Sequence, residues 1–236
     1  MNGRTPSGKA PADVDLERVW SGVAAQVWRR EPSPAERVLA RLLRSPGLAR
    51  ALLSTPSLLV PWLIASAVVF AAGAIATIGT GMPWVALLAP AIAGAGVAYA
   101  YGPGVDPAYE LSMSMAVSDR MVLLARVLAI FVVDSALGLA ASAFSATAAG
   151  LAFGWLMPMT AVSALALTVA VVTRSANVGV AAGAGVWAMV VLGGQAVAGQ
   201  PAAAVSSRWL YVPYLVVAVC CAATVLVKTS QPRRSA

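Results

Sequence analysis

The acidic residue Asp134 stands near the middle of an apolar run, Met121 to Phe144, with only aliphatic and aromatic neighbours from Val127 to Val133. An ionised carboxylate at the centre of a membrane helix costs roughly 2.5–3.5 kcal/mol on insertion scales. Asp134 is therefore expected to be protonated, paired or turned toward water. Two readings stay open: a proton site or cargo contact along a path, or a neutral acid hydrogen-bonded through Ser135, Ser142 or Ser163. Gln195, near the outer end of a later apolar run, is a second polar group suited to such a path. Other chemistry is scarce. The chain has no histidine, and its two cysteines, Cys220 and Cys221, are adjacent inside an apolar run. That pattern fits neither a CxxC redox pair nor a disulfide framework. Zinc hydrolases, haem proteins and Ser-His-Asp enzymes are thereby excluded, and no metal site is expected. No GxxxxGK[ST] loop occurs, so ATP hydrolysis by that route needs another chain. One buried acid without a catalytic companion does not make an intramembrane enzyme, and the chain itself is read as neither an enzyme nor a cofactor carrier.

The elements that must position these groups are helices in a bilayer. The 236 residues are 60% hydrophobic and 11% charged, against roughly 45–50% and about 25% in soluble domains. A hydrocarbon core of about 30 Å needs about 20 apolar residues. Six runs qualify: Leu58 to Ile78, Met82 to Tyr101, Met121 to Phe144, Ala148 to Val172, Val178 to Ala198 and Trp209 to Val227. The expected fold is thus an all-α polytopic membrane protein with six transmembrane helices. Basic residues in short loops stay on the cytoplasmic side. With both termini there, all of the 16 basic residues except Arg208 fall on that face. A multi-pass protein of the plasma (inner) membrane follows, and the net charge of +7 reflects topology and attraction to anionic lipid, with no call for nucleic acid. Pro83 and Trp84 after Gly79-Thr80-Gly81 divide the first two spans, with the Trp at an interface. Pro158 is expected to kink the fourth span. The spacings Gly150-x-x-x-Gly154 and Gly179-x-x-x-Gly183 allow close helix approach.

Before the spans lies an arm, residues 1–57, and after them a tail, residues 229–236, flanking a transmembrane unit over 58–228. No secretory signal precedes the first span, because its apolar run begins behind a long charged arm. Residues 1–12 are polar and rich in Gly and Pro, a composition that favours disorder. Leu16, Trp20, Val23 and Val27 recur at helical spacing. Ser33-Pro34-Ala35-Glu36 is a capping box with proline in the first helical position. The helix it opens sets Leu39, Leu42 and Leu43 against Arg37, Arg41 and Arg44, a basic amphipathic pattern suited to a membrane surface. The arm reads as an anchor, as an elbow along the leaflet, or as a partner-binding module such as an anti-sigma domain, whose zinc-holding His and Cys residues are missing here.

Between the second and third spans sits a charged insert, residues 102–120. Asp106-Pro107 is a helix start, Ala108 to Val117 favour helix, and Ser118 is a second cap opening the third span. Tyr109, Met113 and Met115 give the insert a surface suited to packing against a soluble partner. The segment "YELSMSMAVSDRMVLLARVL" resembles the coupling segment of ABC-2 type transporter permeases, the transmembrane subunits of ABC exporters. In that family a glutamate is followed by a serine-arginine turn and a helix carrying a basic residue. Glu110, Ser118, Arg120 and Arg126 match those positions. Asp119 stands between Ser118 and Arg120, and Ala116-Val117 lack the family's proline. The resemblance implies that Tyr109, Glu110, Leu111, Met113, Met115, Ser118 and Arg120 contact a separate ATPase subunit that binds ATP and magnesium. It also implies pairing with a second copy or a sister permease. The family's outer segment between spans five and six is longer than the "GQPAAAVSSRW" found here. A different expectation is a membrane-bound regulator or sensor that holds a signalling partner through residues Leu16 to Leu53.

Overall fold

The computed structural model describes residues 17–22, 33–44, 46, 56–101, 119–145 and 153–230. Among these the chain is mostly helical, without strands. Residues 17–22 form a short helical stretch. The remaining elements are α1 (Pro34–Leu43), α2 (Pro56–Thr80), α3 (Trp84–Tyr99), α4 (Asp119–Phe144), α5 (Leu156–Thr173), α6 (Ala176–Ala198), α7 (Ala203–Ser206), a 3-10 turn (Arg208–Leu210) and α8 (Tyr211–Ser230). Five of the helices are long and apolar enough to cross a membrane, and α3 is a shorter apolar helix. The chain is an all-α polytopic membrane protein.

Caps and turns sit where the sequence signals them. The Ser33 hydroxyl accepts from the Glu36 amide at 3.1 Å with Pro34 in the first turn, and the arginines Arg37, Arg41 and Arg44 are exposed. The α2–α3 corner turns on Gly81, whose φ of 70° suits glycine. Thr77 and Thr80 tie that corner: the Trp84 amide donates to Thr77 Oγ1 at 3.1 Å and the Trp84 indole to Thr80 Oγ1 at 3.0 Å. Arg174, in the left-handed region, ends α5, and Ser175 caps α6.

Two expectations change. Span four begins at Leu156, well inside the expected Ala148 to Val172, so Pro158 falls in the first turn of α5. A proline there sacrifices an amide that needs no partner within α5, and the helical residues 153–154 are set off from α5 by the turn at Trp155. Span two contracts to 16 residues, about 24 Å at 1.5 Å per residue, short of the expected Met82 to Tyr101. Burial accounts for this. α3 packs against α2, α4, α5 and α6 and buries ten of its residues, from Val85 to Ala98. A helix wrapped by protein has little lipid thickness to match.

Close approaches fix the helix directions. Gly96 of α3 meets Trp62 of α2 and Ile130 of α4, and Gly138 of α4 meets Trp155 and Phe70 of α2. The pairs Trp62/Ile130 and Phe70/Gly138 share one offset in sequence, so α2 and α4 run parallel. α5 and α8 also run parallel, with Gly154 near Tyr211 and the Thr168 hydroxyl donating to the Cys221 carbonyl at 3.2 Å. Successive long helices therefore alternate in direction, and α2 begins at the same end of the bundle where α8 finishes. The segment 199–208 folds back onto the opposite end. Ala204 and Val205 are fully buried, and the Tyr214 hydroxyl donates to the Ala204 carbonyl at 2.8 Å.

The core joins Phe70, Val85, Trp155, Met159 and Trp187. The Trp187 indole donates to the Leu87 carbonyl at 2.7 Å, one turn before Pro90, across the α3–α6 contact. Trp187→Phe deletes this bond and also shrinks a buried ring, so a loss of at least about 1 kcal/mol is expected, the bond plus the void left by the missing ring, measured by thermal unfolding in detergent. An unchanged midpoint would show that the bond contributes nothing.

Candidate functional site

The α2–α4 seam carries the buried polar groups. On α4, Ile130, Asp134 and Gly138 recur every four residues and share one face, from which Arg126 and Ser142, one step further on either side, wind away by about 40° each. On α2, Trp62, Ser66 and Phe70 share a face in the same way. Asp134 has no solvent exposure, and Ser66 and Ser142 are buried as well. Ser66 stands beside the Asp134 carboxyl, in step with the parallel pairs on either side. Neither Asp134 oxygen reaches hydrogen-bond geometry with any described residue. Neither α2 nor α3 carries a charged side chain, so the two packed neighbours offer Asp134 no counter-charge.

Other polar atoms share this condition. The indole nitrogens of Trp62 and Trp155 and the hydroxyls of Ser142 and Ser163 are buried and find no hydrogen-bond partner among the described residues. Trp155 lies against Gly138, one turn beyond Asp134, where any β-carbon would collide with its ring. Buried polar groups are ordinarily satisfied, and exceptions concentrate at working sites. A buried carboxyl with the Ser66 hydroxyl beside it can take up or hand on a proton, or receive a polar group that enters between α2 and α4.

The sequence-derived candidates do not all converge. Asp134 is in the core, whereas Gln195 is exposed near the end of α6, so these two do not line one path within this chain. Of the serines considered as partners for Asp134, Ser135 donates to the Phe131 carbonyl at 2.7 Å and Ser142 and Ser163 are unbonded to it. Ser66 is the serine beside the carboxyl. Sequence reasoning passed over it, although its place one turn from both Trp62 and Phe70 was a helical signal. Arg120 and Arg126 are half-buried on α4. Tyr109, Glu110, Leu111, Met113, Met115 and Ser118 lie outside the described residues, as do Gly150 and the tail from residue 231. Gly179 and Gly183 are used inside the chain, against Ala166 and Ala170 of α5.

Comparisons with protein-family models, with curated proteins and with solved structures find no match for this chain.

Proposed function

We propose that this chain is the transmembrane permease subunit of an ABC-type exporter, coupling ATP hydrolysis in a separate ATPase subunit to movement of a cargo across the plasma (inner) membrane. The observation that carries this reading is the segment Asp106 to Arg120. Between α3 and α4 its sequence carries two cap signals, Asp106-Pro107 and Ser118, with charges and methionines between them, and its residues resemble the coupling segment of ABC-2 permeases. The insert joins α3 and α4 at the end of the bundle where α2 begins and α8 finishes. By the distribution of basic residues that end is cytoplasmic, where an ATPase works. Six apolar helices make half of a pathway, so a second copy or a sister permease completes it. ATP binding closes the ATPases, moves the insert and tilts the helices between inward and outward access. This chain supplies mechanical coupling and the cargo path, while ATP and magnesium belong to the partner.

The test is co-purification from the native host in mild detergent, comparing wild type with Glu110→Ala/Arg120→Ala. An ATPase subunit recovered with wild type is expected to fall at least about tenfold in the double variant, the effect of losing about 1.4 kcal/mol of interface energy. The regulator reading gains one observation, the exposed Trp20 on the helical stretch 17–22, 73% accessible. An ATPase that binds the double variant unchanged, or a signalling protein whose recovery depends on Trp20, replaces the exporter reading with the regulator.

A further inference from the structure

Helix α1 stands apart from the bundle: among the described residues it makes no extensive contact with any of the long helices. Its arginines decide which way it faces. At about 100° per residue, Arg37, Arg41 and Arg44 fall within an arc of about 60°, and all three are exposed. Leu39, Leu42 and Leu43 occupy positions roughly opposite. The flanks, about 100° to either side of Arg37, hold Val38 and Glu36.

The apolar side has a destination close by. From Leu43 to the start of α2 at Pro56 the chain extends at most about 45 Å, so α1 stays near the bilayer. An amphipathic helix in that place lays its apolar side into the interface. Arginines that reach for lipid phosphates sit best on the flanks, level with the headgroups, and here the flanks carry a valine and an acid. The three arginines are left on the crest, facing away from the lipid.

Neighbours in the sequence do not neutralise them. No Asp or Glu lies three or four residues from Arg37, Arg41 or Arg44, and each has another arginine at that spacing, a repulsive arrangement on a helix. Arg44 keeps its place at a conformational cost, since its φ of 49° lies in the left-handed region that favours glycine. Such a stripe is complementary to carboxylates, which the guanidinium fork binds through two hydrogen bonds at once.

We propose that the arginine face of α1 is a docking surface for an acidic, Asp- and Glu-rich patch on a soluble protein, with the helix laid flat on the membrane by its leucines. The surface lies outside both the insert and the Asp134 seam, so it stands or falls independently of the exporter reading.

The experiments use the purified full chain in phosphatidylcholine nanodiscs. The first places single spin labels in a Cys220→Ala/Cys221→Ala background. Labels at Arg37→Cys and Arg41→Cys are expected to meet a water-soluble nickel chelate several-fold more often than labels at Leu39→Cys and Leu42→Cys, which should favour oxygen. The second measures binding of fluorescent decaglutamate, the probe for an acidic surface. Arg37→Gln/Arg41→Gln/Arg44→Gln should weaken it about tenfold, the combined worth of three exposed ion pairs. Lys228→Gln/Arg233→Gln/Arg234→Gln removes equal charge from the C-terminal tail and should leave the affinity within about twofold, since salt screens charges that are not in contact.

No binding of decaglutamate, or equal weakening by the two triple variants, overturns the docking surface. Labels at positions 37 and 41 no more open to nickel than those at 39 and 42, in phosphatidylcholine or with phosphatidylglycerol added, assign the arginines to lipid headgroups and overturn it as well. So does binding that emerges only after Asp13→Asn/Asp15→Asn/Glu17→Gln, because the arginines then serve the chain's own arm.

Discussion

Asp134→Leu raises the thermal stability of the purified chain and abolishes its function. Leucine keeps the branched shape of the side chain and removes two buried oxygens that no described residue satisfies. An unsatisfied buried polar group costs about 1–3 kcal/mol, so stabilisation of that order is expected. Most single substitutions destabilise by about 0.5–3 kcal/mol, which makes the sign itself informative. A protein that keeps a destabilising carboxyl at the centre of an apolar seam does so for work and not for folding. On the exporter reading proposed above, function is read as ATPase activity of the complex with the proposed ATPase subunit. If the variant unfolds more readily than wild type, the carboxyl holds the bundle together and has no working role. Ser66→Ala provides the companion test, with little change in stability and partial loss of function, because Ser66 is the polar side chain beside the Asp134 carboxyl.

Gly179→Ala disrupts the α5–α6 pair. A β-carbon at Gly179 would sit 2.5 Å from the Ala166 carbonyl oxygen and 2.8 Å from the Ala170 methyl. The first of these is backbone, and no rotamer change relieves it. Overpacking of this kind costs typically about 1–3 kcal/mol, and Gly179→Val should exceed that and reduce the yield of monodisperse protein. The internal control is Gly185→Ala, six residues along the same helix, where the added methyl meets nothing within 4 Å. It should be neutral or slightly stabilising, since alanine favours helix. Size-exclusion profiles and unfolding midpoints of the two alanine variants make the comparison; equal midpoints would mean that the helices do not approach this closely.

The same pair of glycines shows what a spacing can and cannot say. Gly179-x-x-x-Gly183 announced a close helix contact, and α5 is the helix that fills it. The spacing carries no partner identity, because a glycine stripe accepts any smooth surface. Only the tertiary arrangement turned it inward. Asp134 is similar: its depth in an apolar run exposed the carboxyl as costly, yet its neighbour Ser66 lies 68 residues earlier and was overlooked. Pro158 shows the limit of a local pattern, since the apolar run continues through the turn at Trp155 that sets the start of α5. A hydropathy run records solvent preference, not hydrogen-bonded backbone.

By itself the sequence determined the all-helical membrane class, the positions of most helices, the Ser33 cap and the turn at Gly81. These follow from short-range chemistry: apolar length against bilayer thickness, a hydroxyl before free amides, and a backbone angle that suits glycine. What only the tertiary structure decided are the parallel α2–α4 seam, the central place of the short α3, and the return of Ala204 and Val205 into the core. In a chain built mostly of Ala, Val, Leu and Gly, nearly every helix face is apolar. Choice of neighbour then rests on where one glycine admits one tryptophan, a matching of shapes from distant segments that no local pattern encodes.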